Sequence, residues 1–288
     1  MTEPSPNVLE QVLGQRQRVA DRLAAVQRVV AVMSGKGGVG KSALTANLAA
    51  ALGMNGRRVA VLDADIHGPS AAAMLGARGQ QVIIGTNGVQ PAMGVAGVRV
   101  MSMDLFLADD NTPVAWRHPG GLAADSYVWR NSLEASALRE FLADTDWDTL
   151  DYLLIDMPPG ADRVETLLRL APGLAGVLVV TIPSQVSHLV VRRAIAAARQ
   201  AGVRLLGLAE NMAGLVGDNG VVTQELFSDQ QGEMFAAAVD VPYWGAIPFD
   251  PRLARTTDAG RPFVLEHSQT PTGRAIMSLA QRLEASTA

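Results

Sequence analysis

Nine consecutive residues, Ser34 to Ser42 (SGKGGVGKS), carry the most specific chemistry in this chain. Glycine at positions 35, 37, 38 and 40 lets backbone N–H groups converge on an anion, because a Cβ there would block the approach or forbid the dihedrals. Lys41 is placed to reach the β- and γ-phosphates of a nucleoside triphosphate, and the Ser42 hydroxyl to ligate Mg²⁺. The expected cradle therefore runs through Gly35, Lys36, Gly37, Gly38, Val39, Gly40, Lys41, Ser42 and Ala43. An apolar β-branched run, Val29 to Met33, leads into it, and an alanine-rich stretch, Ala43 to Leu52, leads out. Strand, glycine loop and helix in that order present a helix N-terminus to the phosphates.

Two further apolar runs end in carboxylates. Val61-Leu62-Asp63-Ala64-Asp65 places two of them at i and i+2, and Leu153-Leu154-Ile155-Asp156 is followed by Pro158-Pro159-Gly160. Ligands of an open parallel sheet bind beyond the carboxyl ends of its strands, so these acids are expected to face the phosphates. Asp65 is read as orienting the attacking water, Asp63 as belonging to the outer sphere of the metal, and Asp156 as holding Mg²⁺ directly or through water. Taken alone, Asp63 and Asp65 could equally be a solvated strand end. Asn211 closes another apolar strand and carries the donor and acceptor that reading an adenine edge requires, or it simply turns the chain. Ile247-Pro248-Phe249-Asp250-Pro251 either walls the base, with Pro248 and Asp250 against the nucleotide, or is an ordinary turn.

The elements that must position these residues follow from the rest of the pattern. Apolar strands are expected at 28–33, 58–62, 98–102, 151–156, 176–182, 204–209 and 243–247, with helices at 41–54, 132–143, 163–171, 186–200, 229–239 and 272–284. Strands that are apolar throughout and separated by helices specify an α/β protein whose parallel sheet is covered on both faces. No repeat or low-complexity linker divides the chain, so residues 28–288 are expected to form one domain, preceded by a partly helical extension over 1–27. A small hairpin is expected where Val82–Ile84 meets Val89–Pro91.

Composition narrows the function. The 288 residues are 48% apolar with net charge −4, which gives no global pull toward nucleic acid or acidic lipid. No apolar run reaches a membrane span and the N-terminus has no signal-peptide character, so a cytoplasmic protein is expected. Cysteine is absent, which removes disulfides, thiolate nucleophiles and thiolate metal ligands. The four histidines, His67, His118, His188 and His267, are scattered without ligand spacing. A dinucleotide-binding dehydrogenase is excluded, because the loop has Lys-Ser and lacks G-x-G-x-x-G spacing.

With Lys36 included, K-G-G-V-G-K-S resembles the deviant Walker A motif of the MinD/ParA superfamily. LDADIHGPS (62–70), VRVMSMDLFL (98–107), PVAWRHPG (113–120), DWDTLDYLLIDMPPG (146–160), VVRRAI (190–195), LLGLAENM (205–212) and VPYWGAIPFDP (241–251) narrow the resemblance to the Mrp-type, ApbC-like iron–sulfur carrier ATPases. The resemblance implies a P-loop fold, slow ATP hydrolysis with Mg²⁺, and an ATP-bridged homodimer in which Lys36 reaches the partner's phosphates. It also implies a Cys-x-x-Cys shortly after ENM, bridging a cluster between subunits. Here that region reads Ala213-Gly214-Leu215-Val216-Gly217-Asp218-Asn219-Gly220, so no iron–sulfur cluster is expected. Ala43 also stands where these proteins usually have Thr.

Two functions follow. One is an ATP-driven switch that matures or assembles a client metalloprotein. The other is a MinD- or ParA-like positioning ATPase acting on membrane or nucleoid. The second needs a surface anchor. The stripe of Ile276, Leu279, Ala280 and Leu283 has few cations and no aromatic residue, which fits core packing. Arg192 and Arg193 fit a solvated helix face. Neither membrane nor nucleic acid is therefore expected as a partner.

Overall fold

The structure is a computed structural model describing residues 6–107, 127–160, 164–171, 173–217, 219–223, 226 and 231–288. The PVAWRHPG motif, His118 and Asp218 lie outside the described residues.

The chain opens with helix α1 (Pro6–Leu23), strand β1 (Val26–Ser34), helix α2 (Lys41–Met54) and strand β2 (Val59–Asp63). A short α3 (Ala71–Met74) precedes the hairpin β3 (Ile83–Gly85) and β4 (Gly88–Gln90), then β5 (Ala92–Met93) and β6 (Arg99–Met101). Next come α4 (Tyr127–Asp144), β7 (Leu150–Asp156), α5 (Val164–Leu168), β8 (Leu174–Thr181) and α6 (Gln185–Gln200). The chain ends with β9 (Leu205–Val216), β10 (Val222–Thr223), α7 (Gly232–Ala238), β11 (Tyr243–Phe249), α8 (Pro251–Asp258), α9 (Val264–His267) and α10 (Pro271–Ser286).

The sheet runs β9-β8-β1-β7-β2-β6, with every neighbour parallel, and β11 adds parallel to β9. Only the short β5 and β10 are antiparallel within it. β1, β2, β7 and β8 are buried over most of their length because both faces are covered, as their apolar runs require. One core layer joins Met33, Leu62, Leu153, Val179 and Ile195; the other joins Val32, Leu48, Val61, Leu154 and Leu279. Helix α2 is buried from Leu44 to Leu52, since its alanines let the sheet and α10 approach together. The stripe of Ile276, Leu279, Ala280 and Leu283 is buried in that second layer, so α10 is a core helix.

Chain order places β2 beyond β7 on one side of β1 and β8 on the other. The order therefore reverses beside β1, and the loop after it stands where open α/β sheets bind ligands. The expected hairpin is present, pairing Ile83 with Gln90. Two expectations need correction. β9 does not stop at Ala209 but continues to Val216, bent at Met212 (φ 56°) and Gly214 (φ 107°). Much of the expected 213–220 loop is thus strand, because β10 and β11 both supply hydrogen-bonding partners there. The 247–251 segment is likewise no plain turn. Pro248 lies in β11, and Asp250 with Pro251 starts α8 as N-cap and first-turn proline.

Candidate functional site

The loop after β1 rises from the middle of the sheet and becomes α2 at Lys41. Gly40 takes the left-handed conformation (φ 78°) that turns the chain into the helix, and a Cβ there would collide with the amide nitrogen of Asn211. A Cβ on Gly35 would stand 2.6 Å from the backbone nitrogen of Val191, so the loop lies directly against α6. The Ser34 hydroxyl donates to the Lys36 carbonyl at 3.0 Å and fixes the first bend.

Parallel pairing brings the acids to the loop. β1 and β7 align Val32 with Asp156, and β2 and β7 align Asp63 with Asp156. Lys41 Nζ donates to Asp156 Oδ1 at 2.6 Å and to Ser42 Oγ at 3.2 Å. Lys41 is 6% exposed and Asp156 is fully buried, so this ion pair is shielded from water. The Thr45 hydroxyl donates to the same Asp156 oxygen at 2.9 Å, with the Lys41 carbonyl at 3.0 Å as its alternative acceptor. Asp156 Oδ2 is buried without a hydrogen-bond partner.

Asp63 is placed differently from its expectation. Its Oδ1 accepts the Asp65 N–H at 3.1 Å, and its Oδ2 accepts the Ser70 N–H at 2.8 Å, the Ala71 N–H at 2.9 Å and the Ser102 hydroxyl at 3.2 Å. Both oxygens thus tie down the 64–71 loop, a part that the expected metal outer-sphere role did not include. Burial first, and then the charge of Asp156, pushes the Asp63 carboxyl up to about 7, although the Ala71 and Ser70 amides and Lys41 pull the other way.

Asp65, half-buried, shares a cavity of about 250 Å³ with Lys36, Lys41, Ser42, Ser70 and Pro159. Its Oδ1 accepts the Gly68 N–H at 3.2 Å. His67 in the same loop meets Glu134 of α4 at 2.5 Å, tethering the outer side of the loop.

A second, apolar cavity opens beside the loop, lined by Gly40, Ala43, Asn211, Met212, Ile247 and Pro248 among others. The Asn211 Nδ2 donates to the Val39 carbonyl at 2.8 Å, which leaves its Oδ1 as an acceptor. Asp250, expected against the nucleotide, is outside this lining. Its Oδ1 caps α8 at the Arg252 N–H (3.0 Å), and its two oxygens take the Arg252 guanidinium at 2.9 and 2.6 Å. Burial raises its carboxyl, but Arg252 outweighs this and holds it below the usual carboxylate range. Its observed part is that of a helix cap paired to Arg252.

Three residues escaped the sequence reading. Thr45 sits one helical turn after Lys41, a spacing that could have drawn attention to it. Ser102 follows β6, and Met212 adjoins Asn211; nothing local marks either of them.

A glycine loop at the switch point of a parallel sheet, closing onto Lys-Ser and facing a strand-terminal Asp, defines a P-loop NTPase. A model of the ParA family, described as NUBPL iron-transfer P-loop NTPase, matches residues 25–284, and the chain belongs to this family. It is 38% identical over 277 residues, 96% of this chain and 89% of the relative, to the iron-sulfur cluster carrier protein of Saccharolobus solfataricus. It is 36% identical to the cytosolic Fe-S cluster assembly factor NUBP2 of Homo sapiens, over 91% of this chain and 93% of the relative. A nucleotide-binding protein from Archaeoglobus fulgidus, solved in complex with ADP, is 34% identical. It superposes with a TM-score of 0.72 over 85% of this chain and 91% of that one. The septum site-determining protein MinD of Pyrococcus horikoshii, 22% identical with a TM-score of 0.63 over 89% and 96%, shares the fold.

Proposed function

We propose that this protein is a Mg²⁺-dependent ATPase that works as a homodimeric switch in maturing or assembling a client metalloprotein. The observation that carries the reading is the buried Lys41–Asp156 pair at 2.6 Å beneath an open loop of glycine amides. In this reading the backbone amides of residues 37–43 hold the phosphates and Lys41 neutralises the β- and γ-oxygens. Asp65 orients the attacking water from the wall of the same cavity. Lys36, half-exposed on the loop, acts on the phosphates of the second subunit. Adenine is assigned to the Asn211 side of the loop, because the Oδ1 of Asn211 can accept from an exocyclic amine and repels the carbonyl that guanine would offer there.

The residues present fit a magnesium ion. Asp156 Oδ2 is a buried, unpartnered anionic oxygen, and the Ser42 hydroxyl lies within the same cluster. Ser42 and Asp156 would hold the ion, which when bound neutralises phosphate charge as the terminal P–O bond breaks.

The relatives' names point to iron–sulfur cargo. This chain has no cysteine, and among the described residues no group of three His, Cys, Asp or Glu side chains is placed to hold a metal ion. We therefore place its output in contact with a client rather than in a thiolate-held cluster of its own. Among the described residues no helix is long and apolar enough to cross a membrane. Membrane or nucleoid positioning, the alternative reading, draws support only from neighbours of shared fold.

Lys41→Ala tests the site. Loss of a buried charge-assisted contact is expected to weaken ATP binding or turnover about tenfold or more, from roughly 1.5–3 kcal/mol. Wild-type affinity and turnover in that variant would refute the assignment.

A further inference from the structure

Lys41 Nζ lies on Asp156, whereas the reading above requires the same ammonium to reach phosphate oxygens in the loop cavity. Asp156 is fully buried, and its Oδ1 takes two donors, Lys41 and Thr45, while its Oδ2 takes none. When Lys41 turns to phosphate, this carboxylate keeps only the Thr45 hydroxyl. A buried anion so poorly compensated is strongly disfavoured, and a divalent cation is the natural replacement.

We propose that Asp156 is an exchange partner: it holds Lys41 back from nucleotide until a divalent cation arrives with the phosphates, and Thr45 is the positioning residue that keeps its carboxylate in place for the exchange. The inference rests on the ATP-site reading. Its consequence is that phosphate capture and metal capture form a single coupled event, so that free ATP binds poorly and Mg·ATP binds well. The Thr45 hydroxyl has one proton and two acceptors, Asp156 Oδ1 at 2.9 Å and the Lys41 carbonyl at 3.0 Å. It can therefore stay on Asp156 throughout the exchange, stabilising the carboxylate while the lysine leaves.

A role for Asp156 confined to metal binding predicts that its loss lowers affinity in Mg²⁺ and changes nothing without it. The exchange predicts a gain without metal. Asp156→Asn removes the charge that restrains Lys41 and keeps the side-chain shape. Thr45→Val removes the hydroxyl at constant volume, leaves Asp156 dependent on Lys41, and tightens the restraint.

The experiment is calorimetric titration of the full chain with a non-hydrolysable ATP analogue, in Mg²⁺ and in excess EDTA. Thermal melts of each variant verify folding. Wild type should bind at least about tenfold more weakly in EDTA, the scale of one lost charge-assisted contact. Asp156→Asn should bind in EDTA roughly tenfold more tightly than wild type, and its Mg²⁺ dependence should shrink. Thr45→Val should bind more weakly than wild type in EDTA, by about threefold, the worth of one neutral hydrogen bond, and Thr45→Ser should restore the wild-type value. Should Asp156→Asn bind no more tightly than wild type in EDTA, or both variants move in the same direction, the exchange is overturned. Absence of analogue binding by wild type in either buffer would overturn the site reading first, and this inference with it.

Discussion

Two regions at the carboxyl ends of neighbouring strands differ sharply in chemistry. At the ends of β1, β7 and β2, Lys41, Ser42, Thr45 and Asp156 are hydrogen-bonded to one another, and Asp63 beside them is held by the Ser70 and Ala71 amides and the Ser102 hydroxyl. Beyond the bend in β9, the described part of the β9–β10 hairpin includes Ala213, Gly214, Leu215, Val216, Gly217 and Gly220, and its turn is closed by local contacts. Gly217 donates to Val221, Gly220 donates to Gly217, and the Asn219 side chain accepts from Val221. The first region is expensive to build and useful only to a ligand that brings phosphate and a cation. Among its described residues the second offers backbone and small side chains, and it has no cysteine to hold a cluster. In a family whose members are named for iron–sulfur carriage, this contrast sets the phosphate-binding loop apart from the segment where the resemblance implies a Cys-x-x-Cys and this chain has none.

Breaking the first region should have the largest effect. Asp65→Ala leaves the phosphate cradle intact and removes the carboxylate beside it, so ATP should still bind while turnover falls about 10²–10⁴-fold, the range for a positioned acid–base group. Single-turnover assays with separate binding titrations check this. Wild-type turnover would make Asp65 a loop residue, with its Gly68 contact as its whole role.

The second region is tested by anaerobic reconstitution with iron and sulfide. No stoichiometric cluster and no charge-transfer absorption are expected, because thiolate ligation needs cysteine and the chain has none. A cluster of one per dimer that survives desalting would erase the contrast between the regions.

A smaller effect belongs to Lys36, whose proposed role depends on association. Sedimentation with a non-hydrolysable analogue should show a dimer, and Lys36→Ala should lose it or leave it inactive. The expected loss of turnover is about tenfold, the value of one charge-assisted contact. A monomer that hydrolyses ATP at every concentration would confine the whole site to one chain.

Much of the first region was legible in the sequence because local rules produce it. The glycines of 35–40, Lys41 and Ser42 at fixed spacing, and apolar runs ending in Asp63 and Asp156 each name a position at the end of a buried parallel strand. Less legible was how the carboxylates divide their work. Asp63 and Asp156 look alike as strand-terminal acids, and only the tertiary pairing shows Asp63 on the Ser70 and Ala71 amides and Asp156 on Lys41. Asp250 illustrates the opposite failure. Asp-Pro followed by Arg-Leu-Ala-Arg is a local helix-start signal, whereas the expectation was either a wall for the base or an ordinary turn. The continuation of β9 past Asn211 could not be read locally, since Gly214 and Gly217 argue for a loop until partner strands supply hydrogen bonds.

The finest test of the first region is the pH dependence of its stability. Asp63 is buried beside Asp156, and burial together with that neighbouring charge raises its carboxyl from 3.8 to about 7 in the folded chain. A carboxyl raised on folding favours the protonated native state, so its contribution is fully present below about pH 4 and is lost as pH rises through about pH 7. Melting temperature should therefore decline across that window. Asp63→Asn removes the titrating proton while keeping a side chain that can accept from the loop amides. The variant should melt lower overall, since an amide cannot accept all the hydrogen bonds that the carboxylate takes from Asp65, Ser70, Ala71 and Ser102. Its slope against pH should nevertheless fall to about half that of wild type or less, because the carboxyl whose raised value drives the decline is gone. An unchanged slope would mean that Asp63 stays ionised throughout, held by its amide donors. The network would then carry two full negative charges against the single cation of Lys41.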